Sequence, residues 1–176
     1  MGEYKDITPG KKLLKRLYTA IMLWFVGRSI QAAAKVDDDV KKEFEELPDQ
    51  FLFSLGVTPN GPRMLVGKDI NGVVKYLGSN PKGRKINVDM TIKNLEAAIL
   101  LFTFQESTAM SSCHDRLTVD GDIPSACSVV RILDIVEVYL LPKIVAKLAV
   151  KRYPQWPMER KLLGRTKIYL RAILGF

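Results

Sequence analysis

The spacing of hydrophobic positions changes several times along the chain, and each change marks an element. Over residues 11–35, Leu13, Leu14, Leu17, Tyr18, Ile21, Trp24 and Phe25 recur three and four residues apart. Lys11, Lys12, Lys15 and Arg16 take the other side, which predicts a basic amphipathic helix. Between Ala20 and Val26 the helix is apolar all round, so it must be buried on several sides or meet something apolar outside the fold. Residues 37–47 open with three aspartates, as a helix N-terminus prefers. Val40, Phe44 and Leu47 form a stripe, and Pro48 stops it. The acid run is thus a helix start before it is a metal site.

From Asp49 the period falls to two. Phe51, Phe53, Leu55 and Val57 alternate with other residues, and Pro59, Asn60 and Gly61 signal a turn. Met64 and Val66 make a second strand, Asn71-Gly72 a second turn, and Val74 and Tyr76 a third strand. After a loop over 78–83, Ile86, Val88, Met90 and Ile92 alternate cleanly. Asn-Gly between short alternating runs is a hairpin signal, and the four strands read as an antiparallel meander with one face buried. A helix over 93–102 carries Leu95, Ala98, Ile99 and Phe102. A polar stretch over 105–115 leads to a fifth strand at Leu117 and Val119. Gly121-Asp122 ends that strand, and Pro124 suits the first turn of a long helix bearing Val129, Val130, Leu133, Val136 and Leu140, up to Pro142. Pro154, Trp156 and Pro157 mark a boundary before a second basic amphipathic helix over 158–176. Helices and five strands in one chain make the expected fold class α+β, with extra amphipathic helices at both ends. The expected organisation is an N-terminal helix at 1–35, a central domain at 36–153 and a C-terminal helix at 154–176.

Charge changes this picture more than composition does. The 176 residues carry a net +8, but residues 1–36 hold seven Lys/Arg against two acids and residues 143–176 nine against one, so the middle is net acidic. Basic ends suit an anionic membrane surface, nucleic acid or a solvated helix face. The apolar opposite faces of the two terminal helices favour lipid over a phosphate backbone, and no nucleic-acid partner is expected. The longest apolar window, residues 19–27, is far short of the roughly 20 residues a span needs, and no secretory signal is evident. The expectation is a cytoplasmic protein, peripheral at most on the inner membrane surface. Cys113 and Cys127 are too few for a disulfide scaffold, and nothing has zinc-ligand spacing.

Catalytic chemistry has little to draw on. The single histidine, His114, lies between Cys113 and Asp115 in a polar stretch, and sequence neighbours are a poor guide to a catalytic pair. Asp120 and Asp122 flank Gly121, which reads first as a strand end followed by a helix cap. Phosphate-binding glycine loops and a GxSxG elbow are absent, so no catalytic residue, metal or cofactor is expected.

Residues 86–99 (INVDMTIKNLEAAI) and 116–127 (RLTVDGDIPSAC), followed by a long apolar helix, resemble the sterol carrier protein type two (SCP2) domain family. The resemblance runs over residues 36–153, and the strand–Gly–Asp–helix step from Val119 to Asp122 is its most specific piece. Two departures stand near that family's lipid tunnel. Phe102-Thr103-Phe104 and Asp115 occupy places where many members carry glycine, and the basic terminal helices are additions. The resemblance implies a five-stranded, mainly antiparallel sheet covered by helices, and a non-catalytic carrier of a fatty acyl, sterol or similar apolar ligand in an internal cavity. On this chain the cavity would be built by Leu95, Ile99, Phe102, Phe104 and Met110, with Leu133, Val136, Leu140 and Ile144. The alternatives are an accessory protein that binds a partner enzyme or a second copy through its apolar helices, and an enzyme using His114 with a nearby acid.

Overall fold

The computed structural model describes residues 12–143, 145, 146, 150, 154 and 156–175. In chain order these form α1 (Leu13–Val36), α2 (Asp38–Glu45), β1 (Leu52–Val57), β2 (Arg63–Lys68), β3 (Val74–Gly78), β4 (Val88–Ile92), α3 (Leu95–Phe102), α4 (Thr108–Cys113), β5 (Leu117–Gly121), α5 (Ile123–Leu140) and α6 (Met158–Leu174). The class is α+β, as the periodicities predict. Helix α4 lies within the stretch expected to be irregular. It has no apolar period to announce it, and the Ser107 side chain caps it at the Met110 amide.

The five strands form one sheet in the order β3-β2-β1-β4-β5. Here the expected meander is corrected. β4 does not pair with β3 but crosses to the far side of β1 and runs parallel to it, setting Phe53 opposite Val88, Leu55 opposite Met90 and Val57 opposite Ile92. The other pairings are antiparallel. Burial explains the exchange, because β1 is covered at every position and so belongs in the middle of the sheet. Asn87 fixes the junction by donating its amide to the Leu52 carbonyl (2.8 Å) and accepting the Leu52 amide on its side chain (2.9 Å).

Helices gather over one face. Phe51, Phe53, Leu55, Met64, Met90 and Ile92 from the sheet meet Leu23 and Ile30 of α1, Val129, Ile132 and Val136 of α5 and Ile168 of α6 in a single cluster. The opposite face is polar and small at its centre, where Arg63 bridges Ser54 (2.8 Å) and Asp89 (3.0 Å). Gly121 has no alternative at the β5–α5 corner. Its φ is +135°, and a Cβ there would stand 2.3 Å from the Asn87 carbonyl oxygen. Asp122 next to it caps α5, accepting the Ser125 amide at 3.0 Å and hydroxyl at 2.7 Å.

The helices are locked to one another through Asp37, the residue between α1 and α2. Its carboxylate caps α2 by accepting the Asp39 and Val40 amides. It also accepts the Tyr139 hydroxyl of α5 at 2.5 Å and the Arg160 guanidinium of α6 at 2.8 Å. Arg160 reaches Asp39 as well and lies over Trp156, which stacks on Tyr139. Burial pushes the Asp37 carboxyl up, but the hydrogen bonds from Tyr139, Arg160 and Val40 outweigh it and hold the group below its ordinary value. Helix α6 approaches α5 at Gly164, where a Cβ would lie 2.6 Å from the Tyr139 ring.

Removing the carboxylate strands a buried hydroxyl and a half-buried guanidinium, so Asp37→Ala is expected to cost about 3–5 kcal/mol in urea unfolding at neutral pH. A depressed folded-state pKa contributes stability that is present above the usual 3.8 and lost as pH falls through the lower folded value. The gap between the variant and the parent should therefore narrow in acid below that value. A gap that persists unchanged there would assign the loss to packing alone.

Candidate functional site

The inner face of the sheet is not filled completely. Between α1, α3, α5 and strands β1, β4 and β5 lies a largely enclosed cavity of about 170 Å³. Its wall is Met22, Phe25 and Val26 from α1, Leu55 and Met90 from the sheet and Leu101 and Phe102 from α3. Phe104, Thr108, Leu117, Leu133, Glu137, Leu140 and Leu141 complete it. Apolar voids of about 150 Å³ stay dry and take up benzene-sized molecules, so this one has room for a ring or a short run of chain.

Of the nine residues the resemblance implies, Phe102, Phe104, Leu133 and Leu140 stand on this wall. Val136 is buried on the neighbouring stripe of α5 and packs into the closed core, and Leu95 packs against that core from the first turn of α3. Ile99 is partly buried on α3, off the cavity wall. Met110 is 49% exposed, because short α4 turns it to the surface. Ile144 lies outside the described residues.

The remaining wall came from two signals that periodicity carries only weakly. The contribution of α1 lies in the segment that is apolar all round, where the sequence offers no preferred side. Glu137 occupies the same stripe of α5 as Leu133 and Leu140, so it is a polar residue on an apolar face. That mismatch was readable in the sequence. The carbonyl oxygens at the end of α5 are satisfied by Arg165, which donates to Tyr139 (2.8 Å) and Leu141 (2.5 Å), and by the Tyr169 hydroxyl on Leu140 (2.6 Å).

Among the described residues Glu137 is the wall's one titratable group. Its side chain is partly covered, but Oε2 is sealed from solvent and has no hydrogen-bond partner. Desolvation, with a smaller push from Asp134 one turn back, raises its pKa to about 8. Burial raises Asp134 to about 6; that residue lies in a surface groove with Arg131 and Glu43.

The other charged cluster is structural in arrangement. Glu106 meets His114, Arg116 at 2.7 Å and the Ser111 hydroxyl at 3.1 Å, tying α4 to the start of β5. No group of three or more potential metal-binding side chains occurs among the described residues.

Fold and cavity together define an α+β protein with an apolar pocket between a mixed sheet and its helices. No protein-family profile and no curated protein matches the chain. Among solved structures it is similar to sterol carrier domains. The UbiJ-SCP2 ubiquinone synthesis protein has 14% identity over 73% of this chain and 99% of that one, with a TM-score of 0.42. Apo sterol carrier protein 2 from Yarrowia lipolytica has 12% identity over 66% of this chain and 90% of that one, with a TM-score of 0.45. Sterol carrier protein domain 2 of Helicoverpa armigera has 16% identity over 74% and 94%, with a TM-score of 0.40. These are domains of the kind that residues 86–99 and 116–127 resemble; the likeness concerns fold alone.

The raised pKa of Glu137 means the fold favours its neutral form. Stability is full below the unfolded value near 4.5 and falls as pH rises through about 8. Glu137→Gln, which cannot ionise, should melt at the same temperature at about pH 6 and about pH 9, whereas the parent's melting temperature should drop between them. Parallel profiles would show that Glu137 ionises without cost.

Proposed function

We propose that this chain is a lipid-binding carrier that holds part of an apolar ligand in the cavity between α1, α3, α5 and the sheet. The observation that carries the reading is the cavity itself, a mostly apolar, largely enclosed space on the inner face of the sheet. Each buried methylene contributes about 0.8 kcal/mol, so a short stretch of chain or a ring gives useful affinity without any charged contact. In this reading the chain performs no bond chemistry, and Glu106 and His114 serve to position α4.

Docking on an anionic membrane fits the terminal helices. Helix α1 exposes Leu13, Leu14, Leu17, Ile21 and Trp24 beside Lys15, Arg16 and Arg28. Helix α6 buries Gly164, Ile168 and Ala172, and turns Leu162, Leu163, Leu170 and Ile173 outward beside Lys167 and Arg171. The two helices pack along each other. No helix among the described residues is long and apolar enough to cross a membrane, so attachment would be at the interface, through apolar insertion plus about 1 kcal/mol per basic residue near the surface. The second reading, an accessory protein that binds a partner or its own copy, draws on the same exposed leucines.

Native mass spectrometry of the purified protein, followed by organic extraction, should find a stoichiometric acyl chain, sterol, quinone or similar lipid. A clean apo mass with no uptake of a fluorescent fatty acid would end the carrier reading. For docking, the full chain should float with vesicles containing anionic phospholipid at low salt and less so at high salt, and Leu163→Glu/Leu170→Glu should stay at the bottom of the gradient. Flotation that those changes leave intact would remove α6 from the membrane contact. Concentration-dependent dimers without flotation would favour the accessory reading.

A further inference from the structure

An acid set into an apolar cavity wall needs a reason, because an unpartnered buried polar group costs about 1–3 kcal/mol against a leucine of similar size. Phe25 of α1, Leu55 and Met90 of the sheet and Phe102 of α3 share the cavity wall with Glu137, and none of them can hydrogen-bond through its side chain. Among the described residues Thr108 is the wall's other polar residue, and no cation lines it. Oε2 is out of solvent and bonded to nothing. The one charged neighbour acting on the group is Asp134, on its own helix and outside the cavity, which makes a second negative charge here still less favourable.

We propose that Glu137 is the polar anchor of the cavity: its protonated carboxyl donates a hydrogen bond to an uncharged oxygen acceptor, such as a carbonyl, on an otherwise apolar ligand. The proposal rests on the carrier reading and names the head group that reading leaves open. An ionised carboxylate head is disfavoured in the cavity, since it would lose its water in a wall that offers no cation among the described residues. A fatty acid therefore enters tail first with its charge outside. An ammonium head would require Glu137 to ionise in a wall that offers one threonine for solvation. A neutral carbonyl satisfies the acid at no electrostatic cost, and a volume of about 170 Å³ suits a head group or ring with the remaining chain directed outward.

The test uses two probes of equal length, 2-tridecanone and tridecane, each displacing the neutral dye N-phenyl-1-naphthylamine from the full chain. At about pH 6 the ketone should bind roughly ten-fold tighter than the alkane, a factor equal to about 1.4 kcal/mol. That preference should fade as pH passes through about 8, where Glu137 gives up its proton. Glu137→Gln keeps a donor and should retain the preference at both pH values. Glu137→Met should bind the two probes equally while still binding the alkane. Equal binding of ketone and alkane by the parent at pH 6 would overturn the anchor and leave the carrier reading intact, and so would a preference unchanged by pH and by Glu137→Met. Should Glu137→Met fail to fold, the parent's pH dependence and Glu137→Gln decide the matter. If neither probe displaces the dye, the carrier reading fails and the anchor falls with it.

Discussion

A single buried carboxylate holds the helical layer together. Asp37 caps α2, accepts the Tyr139 hydroxyl of α5 and pairs with Arg160 of α6, so four helix ends or faces meet at one group, counting α1 on its N-terminal side. Such a junction is favourable because every lone pair has a donor and the charge has a cation. Without that satisfaction the same carboxylate would oppose folding. The junction sits at the C-terminal ends of α1 and α5, the two helices that line the cavity together with α3.

The fold treats its buried acids in opposite ways. Asp37 is surrounded by donors and kept ionised, whereas Glu137 is surrounded by methyl groups and aromatic rings and kept protonated near neutral pH. Both are carboxyls in the interior, and only the neighbours differ. Buried Lys68 follows the first pattern: its ammonium donates to the Phe44 and Leu47 carbonyls and so closes the C-terminal end of α2. Asp37 and Lys68 are supplied with partners, whereas Glu137 on the cavity wall is left with capacity to spare.

Helix α6 inverts the usual amphipathic arrangement. Its buried seam is Gly164, Ile168 and Ala172, with glycine where α5 comes closest because a Cβ there would meet the Tyr139 ring, and its leucines point outward. That leaves Leu162, Leu163, Leu170, Ile173 and Leu174 at the surface beside Lys167 and Arg171, so the outward face of α6 is apolar and basic at once.

The order of elements could be read from hydrophobic period alone, because a period of two or of 3.6 is a property of neighbouring residues. Gly121, Asp122 and Pro124 likewise announced the β5–α5 corner, since turn and cap chemistry is local. Four of the residues proposed for the cavity could be placed on the right helix or loop by resemblance and stripe, and Glu137 was visible as a charge on an apolar stripe. Which strands are neighbours was decided only in three dimensions. The alternation of β4 fits an antiparallel place beside β3 as well as a parallel one beside β1, and the full burial of β1 made the difference. The same holds for Met110 and Ile99, whose positions depend on how α3 and short α4 turn against the sheet. It holds for Phe25 and Met22 as well, drawn from a segment with no preferred side. Local chemistry sets the elements; the cavity and its acid arise from distances between residues far apart in the chain, which tertiary packing alone determines.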